Sequence, residues 1–291
     1  MPELPEVELL RRGLEAALPG QRIVAVDLRL PKIFRAETGL GPGDLVGARV
    51  LRVDRRAKHL LIDLSGDLCL VFHLRLSGQL VLRRGEATLV AGGHPVPRFD
   101  APLPHKSTHL VFDLEDGSGE RERLYFTDIR QFGFCHLMRR GHVAGYLESR
   151  SLGPEAIGES LTLERFSEIV RHRPRAGLKA LLLDQSAVAG LGNIYSDEAL
   201  YLARLHPLRP AGSLHPDEVA HLLGGIRDAL SYALENGVAS VLNGRATPGA
   251  EFPRAHGRQG EPCPRCGATI ERIRVGGRST YFCPQCQVLG Q

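Results

Sequence analysis

The sequence predicts an α+β protein with several domains, and three observations support this fold class. Short apolar segments separated by Gly, Asp and Ser fill the first half of the chain and predict an antiparallel sandwich or barrel. From about residue 154 to about residue 236, apolar residues recur at helical spacing. Four cysteines near the end have the spacing of a metal site. We expect domains at 1–150, 151–236 and 259–291, with a linker at 237–258.

The composition is that of a globular chain with a local positive charge. Hydrophobic residues make up 43% of the 291 residues, and no apolar run approaches the roughly 20 residues of a membrane span. The chain starts with acidic residues and has no signal peptide, so we expect an intracellular protein. Residues 241–291 contain seven arginines and three glutamates, an excess equal to the net charge of +4. This basic segment favours nucleic acid as a partner, although a solvated tail would have the same composition.

Lysine is rare in this chain, which has only Lys32, Lys58, Lys106 and Lys179 among 37 basic residues. A lysine retained in such a chain indicates a function that arginine cannot perform, such as proton transfer. Lys58 lies shortly after Arg55 and Arg56, so lysine is used here beside two positions where the chain uses arginine.

The first six residues suggest a nucleophile. Removal of Met1 would make Pro2 the N-terminal residue, with a free secondary amine whose pKa is about 8. Such an amine can attack an electrophilic sugar or carbonyl carbon and form an iminium, and Glu3 and Glu6 could transfer protons. The alternative is an ordinary start before a helix with Pro5 in its first turn.

The elements of the first half follow from periodicity. Apolar residues on one face predict a helix over 6–18, which Pro19 and Gly20 end. Residues 84–106 are rich in Gly and Pro, and we interpret them as a long surface loop. Alternating or continuous apolar runs predict strands at 22–30, 59–64, 68–74, 79–83, 109–114 and 123–127.

The helical region contains a glycine-rich turn at 190–193. The turn leads into a helix predicted from Ile194, with Asn193 as its N-cap. A second interpretation is phosphate binding at this helix N-terminus, where free N–H groups and the helix dipole favour an anion. Residues 237–262 have no clear periodicity and are interpreted as a linker or mobile loop.

A cysteine quartet near the C-terminus predicts a metal site. Two Cys-x2-Cys pairs, separated by sixteen residues, match a tetrahedral zinc site with no open position, so the metal would be structural. The alternative is a pair of redox motifs or disulfides. The segment 270–282 is predicted to form a hairpin that turns at Gly276-Gly277, with Arg278 just beyond. Cys69 and Cys135 lie elsewhere, in apolar contexts. The four predicted ligands are Cys263, Cys266, Cys283 and Cys286.

Five motifs in order resemble the bacterial formamidopyrimidine-DNA glycosylase family, also called the 8-oxoguanine DNA glycosylase/AP lyase family. The resemblance spans essentially the whole chain, and Leu4 favours this branch over the endonuclease VIII branch. The motifs are Pro2-Glu3-Leu4-Pro5-Glu6-Val7-Glu8, Arg56-Ala57-Lys58, Asp128-Ile129-Arg130-Gln131-Phe132-Gly133, Gly192-Asn193-Ile194-Tyr195 and Cys283-Pro284-Gln285-Cys286-Gln287.

The resemblance implies a fold and a mechanism. The fold would be an N-terminal helix with a β-sandwich, a helix–two-turns–helix domain and a C-terminal zinc-finger hairpin with one structural zinc. The damaged nucleotide would be flipped out of the duplex. The Pro2 nitrogen would attack C1′ with Glu3 as acid/base partner, and β- then δ-elimination would cut the strand. Lys58 would assist β-elimination, Arg278 would act at the phosphate and in δ-elimination, and Glu6 would have a supporting role.

The resemblance also implies DNA contacts. Arg130 and Phe132 match residues that fill the gap left by the flipped base, and Leu76 stands where the family usually has Met. Lys179 and Asn193 match phosphate contacts, and Arg175 lies in the matching basic stretch. Ser107 stands where the family has a histidine that contacts DNA, so this chain departs from the family at that predicted contact. The 84–106 loop looks longer than usual and the 237–258 segment shorter.

The resemblance implies a bifunctional glycosylase/AP lyase of base-excision repair. Its substrates would be formamidopyrimidines, with 8-oxoguanine as a further candidate. Its partner would be double-stranded DNA that contains an oxidised base or an abasic site. We expect a monomer in the bacterial cytoplasm, at the nucleoid. The alternatives are an endonuclease VIII-like preference for oxidised pyrimidines and a non-catalytic zinc-finger protein that binds damaged DNA.

Overall fold

The computed structural model describes residues 2–238, 241–242, 245–247 and 249–289. These residues form two compact units that divide between Arg150 and Ser151. The first unit is a β-sandwich with a long N-terminal helix, and the second combines helices with a cysteine-rich hairpin. The predicted α+β fold class is confirmed. None of the described helices is long and apolar enough to cross a membrane.

The first helix, α1 (Leu4–Ala17), begins two residues before its predicted start. Pro5 fits there because the first helical turn needs no backbone N–H at that position. The carboxylate of Glu6 accepts a hydrogen bond from the backbone N–H of Glu3 at 2.8 Å. This contact satisfies one of the free donors at the helix start and fixes the chain just after Pro2.

The sandwich consists of two five-stranded sheets. One has the order β1-β8-β9-β6-β7 and is antiparallel. The other has the order β2-β10-β5-β4-β3, in which only the β2–β10 pair is parallel. The strands are β1 (Arg22–Leu28), β2 (Phe34–Ala36), β3 (Val50–Arg56), β4 (His59–Leu64), β5 (Leu68–His73), β6 (Gly78–Arg84), β7 (Ala87–Gly93), β8 (Thr108–Glu115), β9 (Arg121–Asp128) and β10 (Phe134–Arg139).

The core of this unit lies between the two sheets. Alternate residues of both sheets point inward, and the apolar face of α1 joins them through Val7, Leu10 and Leu14. Phe72 lies at the centre, edge-on to Phe112 and Phe126 with ring centroids 6.3 and 5.5 Å away. Burial on this scale is the main stabilising contribution in a sandwich.

The predicted surface loop at 84–106 is partly wrong, because Ala87–Gly93 forms strand β7 and pairs with β6. The glycines that suggested a loop serve close packing. A Cβ on Gly92 would lie 2.8 Å from the Cβ of Leu10, and one on Gly93 would lie 2.4 Å from the carbonyl oxygen of Gly78. The remaining loop is held by the buried Gln79, which donates to the carbonyls of His94 and Pro97.

Helices dominate the second unit, and one short helix closes the first. The latter is α2 (Val143–Glu148), which packs on the face of β5 and β10 that points away from the core. The second unit contains α3 (Leu163–His172), α4 (Leu178–Leu183), α5 (Asn193–Ala203) and α6 (Pro216–Asn236). Short 3-10 helices lie at Pro31–Ile33, Pro42–Leu45, Arg140–His142 and Ala211–Ser213.

The C-terminal quarter contains two hairpins. The predicted linker at 237–258 includes positions 239, 240, 243, 244 and 248, which lie outside the described residues. Around them β11 (Val241–Leu242) pairs with β12 (Arg245–Ala246). The second hairpin consists of β13 (Glu271–Val275) and β14 (Arg278–Phe282), and it turns at Gly276 and Gly277 as the sequence predicts.

Candidate nucleic-acid interface and metal centre

The start of α1 brings three of the predicted residues together. Pro2 is buried and directly precedes the helix, and Glu3 is only 1% exposed. Glu6 binds the backbone N–H of Glu3, so its carboxylate has a clear structural role. A free amine at Pro2 would lie beside the N-terminus of α1, where the helix dipole favours negative over positive charge.

Lys58 lies on the turn between β3 and β4 and is buried, with 8% exposure. The preceding residue, Ala57, has a left-handed backbone with φ of 52°. Arg55 supports this turn, because it donates to the carbonyl of Ala57 at 2.9 Å and to Glu8 of α1 at 2.9 Å. The Arg55 side chain therefore ties the turn that carries Lys58 to the helix that follows Pro2.

Glu8 is the anchor of this connection. Burial raises the pKa of its carboxyl, but hydrogen bonds from Arg11, Arg55 and Arg12 outweigh burial and lower that pKa to about 2. The carboxylate therefore stays ionised at every physiological pH, and the tie between α1 and the Lys58 turn does not depend on pH.

Two loops that carry the predicted base-gap residues are joined by one buried carboxylate. Asp128 is fully buried, and it accepts hydrogen bonds from the Ser77 hydroxyl, from the Arg130 N–H at 3.1 Å and from the Gly133 N–H at 2.7 Å. Ser77 in turn accepts from the Arg130 N–H at 2.9 Å. The loop that follows β5 and carries Leu76 is therefore locked to the loop between β9 and β10.

This support leaves the tips of the loops in solvent. Phe132 is 55% exposed, a large fraction for an aromatic side chain, and the guanidinium of Arg130 lies 5.4 Å from its ring centroid. Leu76 is half-buried. Ser107 lies beside the same network, and its carbonyl accepts from the Asp128 N–H at 2.9 Å. The structure therefore groups all four predicted residues around Asp128.

Sequence analysis did not single out Asp128 and Ser77. Asp128 is the first residue of one of the motifs that carry the resemblance, and Ser77 directly follows Leu76, which has a predicted role. A signal was present, because the carboxylate of a loop Asp often accepts from the backbone N–H two residues further on, which here is that of Arg130. The pairing of Ser77 with Asp128 spans 51 residues and needed the structure.

In the second unit, Lys179 is enclosed. Its side chain has 0% exposure, and its ammonium group donates to the Asn193 carbonyl and to Asp197 Oδ1, both at 2.6 Å. A phosphate contact through this ammonium group would require the ion pair with Asp197 to open. The observed position joins α4 to the first turns of α5.

Asp197 and its neighbour Glu198 extend this network to the residues before the cysteines. Asp197 Oδ2 lies 2.6 Å from His256 Nδ1. Glu198 accepts three backbone N–H groups, from Arg254, Ala255 and His256, at 2.7 to 2.9 Å. Burial raises the pKa of Glu198, and the three N–H groups oppose this shift.

The remaining predicted DNA contacts lie at the surface or close to it. Arg175 and Arg278 are exposed, and Arg278 is the first residue of β14. Asn193 is the first residue of α5, whose N-cap is Gly192, so the predicted N-cap is displaced by one residue. The Asn193 amide donates to the carbonyl of Ser279 at 2.8 Å, which fixes the hairpin residue next to Arg278 against the start of α5.

The four predicted cysteines form a compact cluster in which all the sulfur atoms lie within 4.8 Å of one another. Zn–S bonds of about 2.3 Å place the sulfur atoms of a tetrahedron about 3.8 Å apart. The observed distances of 4.0 Å for Cys263–Cys286 and 3.4 Å for Cys266–Cys283 agree with this geometry. These thiolates would hold one structural zinc ion with no open position.

The surroundings of the cluster also suit thiolates. The backbone N–H groups of Arg265 and Cys286 point at sulfur atoms, each at 3.4 Å. The hydroxyl of Tyr201 in α5 lies 3.5 Å from the sulfur of Cys263, and the guanidinium of Arg265 covers the Tyr201 ring at 4.4 Å. Such outer contacts orient metal ligands, so the fold of the hairpin and the metal site depend on each other.

Three family models match the chain in succession. A formamidopyrimidine-DNA glycosylase N-terminal domain matches residues 1–135, and a formamidopyrimidine-DNA glycosylase H2TH domain matches residues 152–243. A zinc finger found in FPG and IleRS matches residues 260–288.

Whole proteins match over nearly their full length. The formamidopyrimidine-DNA glycosylase of Pelotomaculum thermopropionicum is 42% identical over 293 residues, which cover 99% of both chains. A crystal structure of a Lactococcus lactis FPG mutant with a Fapy-dG containing DNA matches with a TM-score of 0.84 and 33% identity, over 99% of this chain and 100% of that chain. A crystal structure of wild-type Lactococcus lactis FPG with an oxidized pyrimidine containing DNA matches with a TM-score of 0.83 and 34% identity, again over 99% of this chain and 100% of that chain.

Proposed function

The chain belongs to the formamidopyrimidine-DNA glycosylase family, and on this premise we propose that it excises oxidised purines through Pro2 and then cuts the strand as an AP lyase. It is thus a DNA glycosylase of base-excision repair whose partner is damaged duplex DNA. The observation that carries the chemical proposal is the buried Pro2–Glu3 pair at the start of α1. We further propose that it acts in the bacterial cytoplasm, at the nucleoid.

The proposed first step uses the Pro2 nitrogen, after removal of Met1, as the nucleophile. The nitrogen bonds to C1′ while the bond between C1′ and the base breaks, and the departing base takes up a proton. Opening of the sugar ring then moves the proton of the nitrogen to O4′ and gives an iminium. Glu3 would carry these protons, since it directly follows Pro2 and is shielded from bulk water.

The iminium makes the C2′ proton acidic, which permits elimination. Loss of this proton expels the 3′ phosphate, and a second elimination expels the 5′ phosphate. Lys58 would assist the first elimination and Arg278 the second. Lys58 suits the task because an ammonium group can give up a proton and take it back, whereas a guanidinium stays charged.

The exposed Phe132, with Arg130 and Leu76, would fill the space that the flipped nucleotide leaves. A guanidinium can hydrogen-bond the orphaned base and a phenyl ring can enter a base step. Phosphate contacts would come from Arg278, from Arg175 and from the start of α5 at Asn193. The network around Asp128 supports this proposal because it fixes the loop backbones and leaves the tips free.

Two classes of damaged base are candidate substrates, the oxidised purines and the oxidised pyrimidines. The Lactococcus lactis relative has been crystallised with a formamidopyrimidine and with an oxidised pyrimidine. We propose formamidopyrimidines as the main substrates, with 8-oxoguanine as a further purine substrate. Oxidised pyrimidines are the second candidate, because the same scaffold binds them in that relative.

Borohydride trapping on a series of duplexes tests the proposal. The duplexes carry formamidopyrimidine, 8-oxoguanine, thymine glycol, an abasic site or no lesion. We expect a covalent adduct on the purine lesions and the abasic site, and no adduct when the amine of a Pro2→Ala variant is chemically blocked. Pro5→Ala is the matched control, since it changes a proline of the same segment and leaves the terminal amine intact.

Each other outcome has a distinct meaning. Trapping confined to thymine glycol would move the protein to pyrimidine lesions, and trapping confined to the abasic site would leave a lyase without glycosylase activity. A full adduct yield with the blocked amine would exclude Pro2 as the nucleophile. Tight binding of lesion DNA with no adduct would indicate a binding protein.

A further inference from the structure

A row of aromatic rings lies in the N-terminal unit, on the face of the second sheet that points away from the core. Phe134 of β10, His73 of β5 and His59 of β4 are neighbours across three paired strands, with ring centroids 5.9 and 4.7 Å apart. Tyr146 of α2 continues the row, 6.2 Å from His59 and 5.4 Å from His136. We call these five side chains the ring row.

Three exposed arginines lie on the ring row. The guanidinium carbons of Arg35 and Arg75 lie 4.4 and 5.8 Å from the Phe134 centroid, and that of Arg150 lies 4.4 Å from the Tyr146 centroid. A guanidinium over a ring is attracted by the ring face, and its N–H edges remain available to solvent. The rings therefore hold these cations in place without neutralising them.

These three arginines differ from other exposed arginines of the same unit. Arg22, Arg98 and Arg123 are each paired with a carboxylate at 2.5 to 2.7 Å. Within the described part of the chain, none of the three ring-row arginines forms an ion pair. Their charge is thus available to an anion, whereas the charge of the paired arginines is not.

The surroundings of the ring row are positive. Burial lowers the pKa of His59 to about 4, and the positive charges of Arg75, Arg150 and Arg56 lower it in addition. Burial likewise lowers the pKa of His73 and His136, so these rings are neutral at physiological pH. Glu37 is the carboxylate that acts on His136, and it is already bound by His142 and by the Arg139 N–H.

The ring row is continuous with residues that the proposed function uses. His59 directly follows Lys58, and Arg75 directly precedes Leu76. Arg35 lies opposite His136 in the parallel β2–β10 pair and extends the positive surface to the edge of the sheet. Of the three arginines, Arg75 is therefore the one adjacent in sequence to a residue of the proposed site.

We propose that Arg35, Arg75 and Arg150 form an additional phosphate-binding surface for the duplex that flanks the lesion. The inference rests on the proposed function, because it takes the occupant to be the DNA already bound at the reaction site. Guanidinium groups bind phosphate oxygens through paired N–H donors and read no sequence. The surface would therefore raise affinity for duplex DNA without changing which lesion is removed.

Salt-dependent binding of the full chain tests this surface. We compare the wild type with the triple variant Arg35→Gln/Arg75→Gln/Arg150→Gln on a duplex that carries a stable abasic analogue. Between about 50 and 200 mM salt, the slope of the logarithm of the association constant against the logarithm of the salt concentration is negative. We expect its magnitude to decrease by roughly one for each arginine removed. The matched control is Arg22→Gln/Arg98→Gln/Arg123→Gln, which should leave the slope unchanged.

The reaction rate supplies the second arm. With enzyme in saturating excess over the lesion duplex, the triple variant should excise the base at the wild-type rate. An unchanged salt slope would overturn the proposal, and so would a lower rate at saturation, since that would place the arginines in the reaction itself. If the wild type itself bound no lesion DNA, the proposed function would fail instead. A thermal melt of each variant separates misfolding from lost contacts.

Discussion

The two units of this protein position their proposed DNA-contacting residues by different means. In the N-terminal unit, the loops that carry Leu76, Arg130 and Phe132 are built on a sandwich with its own apolar core. These loops are joined by the Asp128 carboxylate and the Ser77 hydroxyl, and the donors that bind Asp128 are neutral groups. In the C-terminal unit, the contacting elements are themselves parts of a buried ionic network and a metal site.

In the C-terminal unit, a few buried contacts connect the elements that carry the proposed DNA-contacting residues. Lys179, Asp197 and His256 connect α4, α5 and the residues before the first cysteine. Arg278 is carried by a short hairpin between two pairs of zinc ligands. We therefore expect that a loop of the N-terminal unit can change without loss of the fold. In the C-terminal unit, the hairpin that carries Arg278 depends on the metal site for its fold.

Removal of zinc tests this difference most strongly. Structural zinc contributes on the order of 10 kcal/mol to the folding of such a segment. We expect Cys266→Ser to lose the metal and to unfold the hairpin, while the sandwich keeps its amide protection. Zinc content and hydrogen exchange of peptides from both units measure this.

The matched control for zinc removal is Cys135→Ala, which changes a buried cysteine of the N-terminal unit that lies outside the cluster. It should lower stability by about 1 kcal/mol, as a small core truncation does, and keep full zinc content. A Cys266→Ser protein with one equivalent of bound zinc would contradict the four-cysteine site. Loss of protection in the sandwich after zinc removal would contradict the prediction that its own apolar core is enough to keep it folded.

Lys179→Met tests the ionic network. Removal of Lys179 leaves the buried Asp197 without its ammonium partner and with the His256 ring as its remaining contact in this network, so we expect stability to fall by about 3 kcal/mol. Because the ammonium group is enclosed, the salt slope of DNA binding should stay at the wild-type value. Arg278→Ala should instead lower the slope by roughly one. Urea unfolding and salt-dependent binding provide the two readouts.

The outcome of this comparison is decisive for Lys179. A slope that falls with Lys179→Met as it does with Arg278→Ala would show that the ion pair opens and that the lysine contacts phosphate. The stability control is Arg123→Met, which breaks an exposed ion pair with Asp113. Exposed pairs contribute less than about 1 kcal/mol, so that variant should unfold like the wild type.

The sequence predicts local features of this fold well. Six of the sandwich strands and the cysteine hairpin follow from alternation and spacing, which depend on neighbours in the chain. Strand β7 was missed because Gly92 and Gly93 look like loop residues, and only the packed structure shows that Leu10 and Gly78 leave no room for a side chain there. Strand β3 was missed because arginine and aspartate interrupt its apolar pattern.

The candidate site shows the same limit. The zinc ligands could be predicted because both pairs have diagnostic local spacing. The burial of Lys179 could not, because its partner Asp197 lies 18 residues away and His256 lies 59 residues beyond Asp197. An exposed phosphate-binding lysine and a buried paired lysine look alike in sequence, and only tertiary contacts separate them.

The smallest of the three effects concerns acid sensitivity of the N-terminal unit. The pKa of His59 is about 4 in the fold and 6.5 in the unfolded chain, chiefly because burial disfavours the charged ring. The unfolded chain therefore takes up a proton first, so stability is complete above pH 6.5 and declines as the pH falls toward 4. At about pH 5 the loss of stability from this group should be about 2 kcal/mol.

His59→Phe should remove this part of the pH dependence, and His221→Gln, at an exposed position in the C-terminal unit, should not. Hydrogen exchange of β4 and β5 peptides at pH 7.5 and pH 5 measures the difference, with exchange rates corrected for pH. Equal pH dependence in the wild type and His59→Phe would mean that the ring is protonated inside the fold, and the ring row would then carry more positive charge than its arginines supply.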